Sequence, residues 1–287
     1  MSAKPTEGRR SADLTSAPPT LRATSPNGED KRCSISASGT LNGVATIWAL
    51  PEEVPVAILL NSKSYAVMMA TPADLEDFAL GFVLSEGLVL HHSHVTNVLV
   101  LQQPEGLSVD VAVDEKNLIR ERMVSRSLEG RVGCGLCGIT ELEDAIRMPA
   151  NKVMPVAFSA AAIAKAFAAL PDYQPMNAVN RTVHAAAFCS VDGQILLTRE
   201  DVGRHNALDK LIGAMARRRI PPSPGFALMS SRCSFELVQK SARVGFGALA
   251  TISAPTALAL QLARQAGLQL ATSAQTGIMM FEGDHLG

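Results

Sequence analysis

The 287-residue chain has almost no net charge: 26 lysines and arginines stand against 27 aspartates and glutamates, leaving −1. A protein that holds nucleic acid through a global basic field needs a large positive excess, so that class is excluded, although a local basic patch is not. Cysteine is scarce. Cys33, Cys134, Cys137, Cys189 and Cys233 are too few, and odd in number, for a disulfide-stapled secreted scaffold. The N-terminal stretch lacks the apolar segment of a secretory signal. A membrane-spanning run is missing too. Residues 244–263 carry no charge, but they include Gly245, Gly247, Ser253, Pro255 and Gln261 and are otherwise mostly alanine, which suits a buried strand, a turn and a buried helix. These absences predict a cytoplasmic protein with reduced thiols that binds neither membrane nor nucleic acid.

Apolar residues make up 47% of the chain, enough for a packed core. The length suits one large or two medium domains. Residues 1–36 are rich in Ser, Thr, Pro and charge, cannot offset their own ordering entropy, and read as a disordered tail with Cys33 as an incidental exposed thiol. Residues 37–125 read as a small α+β domain, with strands at 44–48, 54–60, 65–69, 98–101 and 107–113. Thr71-Pro72-Ala73-Asp74 has the form of a helix start, with Thr71 as N-cap. Leu75, Phe78, Ala79, Phe82 and Val83 follow at helical spacing, and Gly87 closes the helix. His91, His92 and His94 read as a solvated loop, because no Cys or acidic residue lies at ligand spacing beside them.

Residues 126–150 form a connector and 151–287 an α/β sheet domain. An Ala-rich helix over 159–170 stops at Pro171. A β-hairpin over 183–198 turns at Asp192-Gly193, and a helix covers 203–216. Short apolar strands at 226–229, 248–252 and 268–271 then alternate with helices at 235–242 and 256–266, the pattern of βαβ units and a parallel sheet. Such sheets bind ligands beyond the carboxyl ends of their strands. Those ends carry Ser230-Ser231-Arg232, Ser253 and Thr272-Ser273. Hydroxyls beside helix N-termini, with an arginine fork, suit a phosphate or a guanine edge. Ser234 and Thr256 are explained as plain helix caps.

Two segments carry the chemistry. In Gly133-Cys134-Gly135-Leu136-Cys137-Gly138, thiols two residues apart can meet each other, one sulfur or one metal ion. Arg126 and Arg131 nearby favour thiolate. As half of a zinc site the pair lacks a second CxxC or an HxxxH, although His184 and Cys189 could be recruited. A zinc deaminase would need an H-x-E, which His184-Ala185-Ala186 is not. A thioredoxin-type pair would follow a strand and open a helix. A sulfur relay needs an exposed nucleophilic thiol on a Gly-flanked loop. The second segment, from Glu200 to Lys210, packs Asp201, Arg204, His205, Asn206 and Asp209 into a strand-to-helix junction. His205 is a proton-transfer candidate there, and Asp201 and Arg204 are a candidate ion pair.

With Asn61, the 71–87 stretch, His184-Ala185-Ala186-Ala187, and Ser230-Ser231-Arg232 followed by Glu236-Leu237-Val238-Gln239-Lys240, these segments resemble the formate dehydrogenase accessory sulfurtransferase family (FdhD) from about residue 40 to 272. The resemblance implies a cytidine-deaminase-like α/β/α fold for the second domain, without a zinc site and with no permanently bound metal. It implies a homodimer. It also implies a sulfurtransferase that takes persulfide sulfur from a cysteine desulfurase and passes it to the molybdenum of bis-molybdopterin guanine dinucleotide, destined for formate dehydrogenase. Cys134 matches the family's persulfide cysteine and Cys137 its partner. The cofactor, bound as substrate, is expected against His184, Asp201, Arg204, His205, Ser230, Ser231, Arg232, Ser273 and Gly277. The chain departs from the family at Asn180-Arg181-Thr182-Val183 and over 273–278, read as a loop in which Gly277 alone clearly matches. Arg181 is a candidate replacement for a missing basic residue. The alternative is a cofactor chaperone without persulfide chemistry.

Overall fold

Alternation of small apolar and polar residues sets up the first strands. A computed structural model describes residues 33–120 and 152–281. β1 (Ser34–Leu41) and β2 (Val44–Pro51) form an antiparallel ribbon turning at Asn42 and Gly43, both at positive φ. β3 (Val54–Leu60), β4 (Lys63–Ala70), β5 (Val95–Gln103) and β6 (Gly106–Val113) form a second sheet in the order β4-β3-β6-β5. In β3, Val56, Ile58 and Leu60 alternate inward, the period-2 signature of a strand with one buried face. They pack on Phe78, Phe82 and Val83 of helix α1 (Leu75–Ser85).

The larger sheet has six strands in the order β12-β11-β10-β9-β7-β8. β7 (His184–Cys189) and β8 (Ile195–Asp201) form the anticipated hairpin, and α4 (Arg204–Arg217) follows it. β9 (Phe226–Cys233), α5 (Phe235–Val244), β10 (Ala248–Pro255), α6 (Ala257–Ala266) and β11 (Gln269–Ala274) make the expected strand–helix series, with β9, β10 and β11 parallel. The sheet is nevertheless mixed. β7 runs antiparallel to β9, and β12 (Gly277–Phe281) runs antiparallel to β11 at the far edge. α4, α5 and α6 cover one face through Leu208, Leu211, Leu237, Val238 and Leu262. The other face packs on α2 (Ala160–Ala169) through Ile163 and Ala166. A short helix, α3 (Pro175–Asn180), precedes β7.

α4 is buried on both sides. One side lies on the six-stranded sheet, and α1 crosses the other. A Cβ at Gly81 would lie 1.7 Å from the Asp209 carbonyl oxygen, and one at Gly213 would lie 1.8 Å from that of Asp77. The two helices therefore meet backbone to backbone at a reciprocal pair of glycines, and this contact joins the two sheet layers. Around it, Asp77 accepts from Arg199 Nη2 at 2.7 Å and from Arg217 Nη1 at 3.1 Å.

Several expectations are corrected. Order begins before residue 37. Ser34 pairs with Pro51, and the Glu52 N–H donates to the Cys33 carbonyl. Cys33 is buried against Met176 and Val183, so it is not an exposed tail thiol. A pairing partner about 17 residues on outweighs a disorder-prone local composition. α1 starts at Leu75, with Asp74 left-handed at the N-cap, because the polar groups of Thr71 are bonded elsewhere. Ser230, Ser231 and Arg232 lie within β9, which runs on to Cys233. The 273–278 stretch is the tight connection of an edge hairpin, not a loop.

Candidate functional site at the strand ends

The strand-to-helix motif from Glu200 to Lys210 splits into two jobs. Part of it locks the layers together. Asp201 is fully buried. Its Oδ2 accepts from the Thr71 N–H at 3.0 Å and lies 2.7 Å from Lys210 Nζ. Its Oδ1 accepts from the Gly203 N–H at 2.8 Å and from Asn206 Nδ2 at 2.9 Å. With four donors, this carboxylate has no lone pair left for a guest, and it pairs with Lys210, not with Arg204. Lys210 also donates to the Thr71 carbonyl, and Asn206 to that of Met69. Glu200 accepts from the N–H groups of Met176 and Asn177, capping α3. Asp209 receives Lys240, which also reaches Glu86. Burial works against the charged Lys240, but those two carboxylates outweigh it and raise its pKa.

The other part faces the sheet edge. β7 begins at His184, opposite the last residue of β8, Asp201. The carboxyl ends of β9, β10 and β11 lie along the same edge, and so do the first turns of α4 and α5, which bring in Arg204, His205, Ser234 and Glu236. Ser230 is occupied, its Oγ accepting from the Ala185 N–H at 2.7 Å. Ser231 is buried and donates to the Arg232 carbonyl. Arg232 is exposed, in register with Ser253. Ser273 is half-buried near the end of β11, and Gly277 opens β12 in free space. His184 and Gly277 are thus four strand spacings apart, about 19 Å along the edge at ~4.8 Å per strand. One small ligand cannot touch both, whereas an elongated one can.

The electrostatics of this edge suit an anion. His184 is held below the ordinary histidine range, first by burial and then by the Arg204 and His205 charges, with Asp201 pulling weakly the other way. Glu236 lies below the ordinary carboxylate range. Burial pushes it up, but His205, Ser234 and the backbone together outweigh that. Arg204 Nε is buried without a hydrogen-bond partner. Neither N-cap residue, Gly203 of α4 or Ser234 of α5, makes a side-chain capping bond to its helix. Thr256 does cap α6, so the plain-cap reading holds for it and fails for Ser234. Two helix N-termini without a capping side chain and an orphaned guanidinium nitrogen form a donor set that fits a phosphate-bearing guest.

Cys134 and Cys137, with Arg126 and Arg131, lie outside the described residues. Cys189 and Cys233 are buried, and burial pushes both thiols up to about 12. Among the described residues, no three His, Cys, Asp or Glu side chains are grouped as metal ligands, the His91–His94 turn included.

A family model described as FdhD/NarQ matches residues 51–281. The chain belongs to the FdhD/NarQ family. It is 47% identical over 226 residues to the "Sulfur carrier protein FdhD" of Cupriavidus necator, covering 79% of this chain and 78% of that one. It is 48% identical over 218 residues to the protein of the same name from Xanthomonas euvesicatoria, covering 76% and 78%. A crystal structure of a candidate formate dehydrogenase accessory protein from Desulfotalea psychrophila matches with TM-score 0.64 at 22% identity, over 88% of this chain and 98% of that one. The mixed α/β fold, with a smaller sheet ahead of a larger one, is therefore the fold expected of an FdhD/NarQ chain. The sequence pattern presents Ser234 as a helix cap and Glu236 as part of a longer motif, and marks neither as a residue of the candidate FdhD/NarQ site. The available signal was the parallel sheet itself: His205 and Glu236 both fall in the first turn of a helix leaving the same edge.

Proposed function

We propose that the chain is a sulfur carrier for formate dehydrogenase, acting as a sulfurtransferase through a cysteine persulfide. In this reading a cysteine desulfurase loads sulfur on Cys134, with Cys137 as its partner thiol. The sulfur is then passed to the molybdenum of bis-molybdopterin guanine dinucleotide, the substrate held at the strand ends. The protein works in the cytoplasm as a homodimer.

The observation that carries the proposal is the donor set at the sheet edge. A dinucleotide-sized substrate brings phosphates and guanines. The N-termini of α4 and α5, which lack a capping side chain, Arg204 with its unpartnered Nε, His184 and exposed Arg232 offer hydrogen-bond donors and positive potential for them. A second support is elimination. Sulfur carriage needs thiolate. Cys189 and Cys233, with thiols near 12, cannot supply it at neutral pH, and Cys33 is buried. The CxxC pair is what remains.

The test is direct. After incubation with a desulfurase and cysteine, mass spectrometry should find one added sulfur atom on the wild type and none on Cys134→Ala with Cys137→Ala. Restoration of formate dehydrogenase activity by the Cys134→Ala variant, in cells lacking the wild-type protein, would sink the proposal. Guanine nucleotide binding without any persulfide would instead favour a chaperone role.

A further inference from the structure

Ser234 sits where helix N-caps sit, with the extended backbone of a cap, yet its hydroxyl makes no capping bond to the helix. A serine cap is worth about 1 kcal/mol to a helix. Here the hydroxyl is turned to His205, with Oγ 3.3 Å from Nε2. Glu236, two residues further on, brings its Oε2 to 3.9 Å from the same nitrogen, too far for a direct hydrogen bond but within ion-pair range. Both partners therefore address one ring nitrogen. That arrangement excludes a hydrolase triad, in which serine and carboxylate bind opposite nitrogens of the imidazole. No hydrogen bond from any described residue reaches Nδ1.

We propose that Glu236, acting through the Ser234 hydroxyl, fixes His205 with its proton on Nε2 and so presents Nδ1 as the proton acceptor of the strand-end site. The polarity follows from the inventory of donors. The Glu236 carboxylate is held ionised by its neighbours and can only accept. The Ser234 hydroxyl, one of the groups that lower the Glu236 carboxyl, donates to it, and the hydroxyl oxygen then accepts from Nε2–H, while Glu236 Oε2 has no hydrogen-bond partner of its own among the described residues. A neutral imidazole protonated on Nε2 carries its lone pair on Nδ1. Ser234 and Glu236 are positioning residues, and His205 is the group that exchanges a proton. The role resting on the sulfur-carrier reading is removal of one proton from a hydropersulfide. The S–H bond breaks, its electron pair stays on the terminal sulfur, and the proton goes to Nδ1, giving an imidazolium and a persulfide anion. Nothing is oxidised or reduced.

Nitrogen-15 NMR of imidazole-labelled protein reads the tautomer directly. The wild type should show Nδ1 as the unprotonated nitrogen of the neutral His205 ring. Ser234→Ala and Glu236→Gln should give a mixture of tautomers, and Ser234→Thr, which keeps the hydroxyl, should restore the wild-type spectrum. Far-UV circular dichroism checks that each variant is folded. Ser234→Ala and Glu236→Gln should accept sulfur from the desulfurase normally but restore formate dehydrogenase activity about 100-fold less well, the lower end for general acid–base steps. A wild-type His205 protonated on Nδ1, or an unchanged tautomer in Ser234→Ala, overturns the proposal. If the wild type takes up no sulfur while the tautomer pattern holds, it is the sulfur-carrier reading that fails.

Discussion

Asp201 and Arg204 are three residues apart, yet their energetics are opposite. Asp201 sits without solvent contact beside Lys210, so removing either charge strands the other. Lys210→Met should lower folding stability by about 3–5 kcal/mol, the usual cost of breaking a buried pair. Urea unfolding checks this, and adding Asp201→Asn should recover part of the loss. Arg204 donates no hydrogen bond from its buried Nε, so Arg204→Gln should leave the urea midpoint nearly unchanged. The same variant should weaken guanine nucleotide binding about 10- to 150-fold, since a charge-assisted hydrogen bond contributes roughly 1.5–3 kcal/mol. Calorimetric titration of the two proteins separates the effects. In the sequence these residues look alike, as charges in one dense motif. What divides them is which side of a strand end they leave from, and only the packed neighbours Thr71 and Met69, about 130 residues earlier, decide that.

At the scale of elements, the decisive contact is the crossing of α1 and α4. Gly81→Ala or Gly213→Ala puts a methyl within 2 Å of a backbone carbonyl on the facing helix, so the helices must move apart. The higher helix propensity of alanine returns about 1 kcal/mol and cannot offset that. Each variant should lose at least the 1–3 kcal/mol typical of overpacking, visible in thermal unfolding. Gly39→Ala, with nothing within 4 Å, is the control and should be near neutral. The β1–β2 ribbon poses a different question. Its register places Ile35 opposite Leu50, Trp48 opposite Ala37 and Leu41 opposite Val44, so one face is apolar, and these large side chains are 41–67% exposed. Trp48 is the chain's only tryptophan. In the isolated chain its fluorescence should be red-shifted and readily quenched by acrylamide. A protected, blue-shifted Trp48 would mean that another chain covers the ribbon. Helices and strands with strong internal periodicity, such as α1, α4 and β3, were legible in the sequence. β12, α3 and β1 were not. β12 and α3 are short, and all three are stabilised by partners such as β11, Glu200 and β2 that local pattern does not name.

At the scale of the whole molecule, the sheet edge that carries the candidate site was legible as a place. The alternation of strands and helices located the edge, and the edge holds the donors. Its state of charge was not legible, because that depends on how closely His184, Arg204 and His205 are brought together. This has a consequence that can be measured. In the unfolded chain His184 titrates near 6.5, and in the folded chain burial, Arg204 and His205 lower it. Below about pH 6.5 the unfolded state takes up a proton that the folded state refuses, so acidification costs stability until the pH passes the lowered value, after which the effect is constant. His92, also lowered, adds to the same slope, while the raised Glu200 acts against it nearer the carboxylate range. Comparing the wild type with His184→Gln isolates the His184 share: the variant should lose less stability on acidification through this window. A phosphate-bearing ligand reverses the local field. Its negative charge raises His184 in the complex, so binding takes up a proton and strengthens as the pH falls between the bound and free values. Titration calorimetry of a guanine nucleotide in two buffers of different ionisation enthalpy should show this proton uptake in the wild type and not in His184→Gln. Equal proton uptake by both would mean that the nucleotide sits elsewhere on the edge, away from His184.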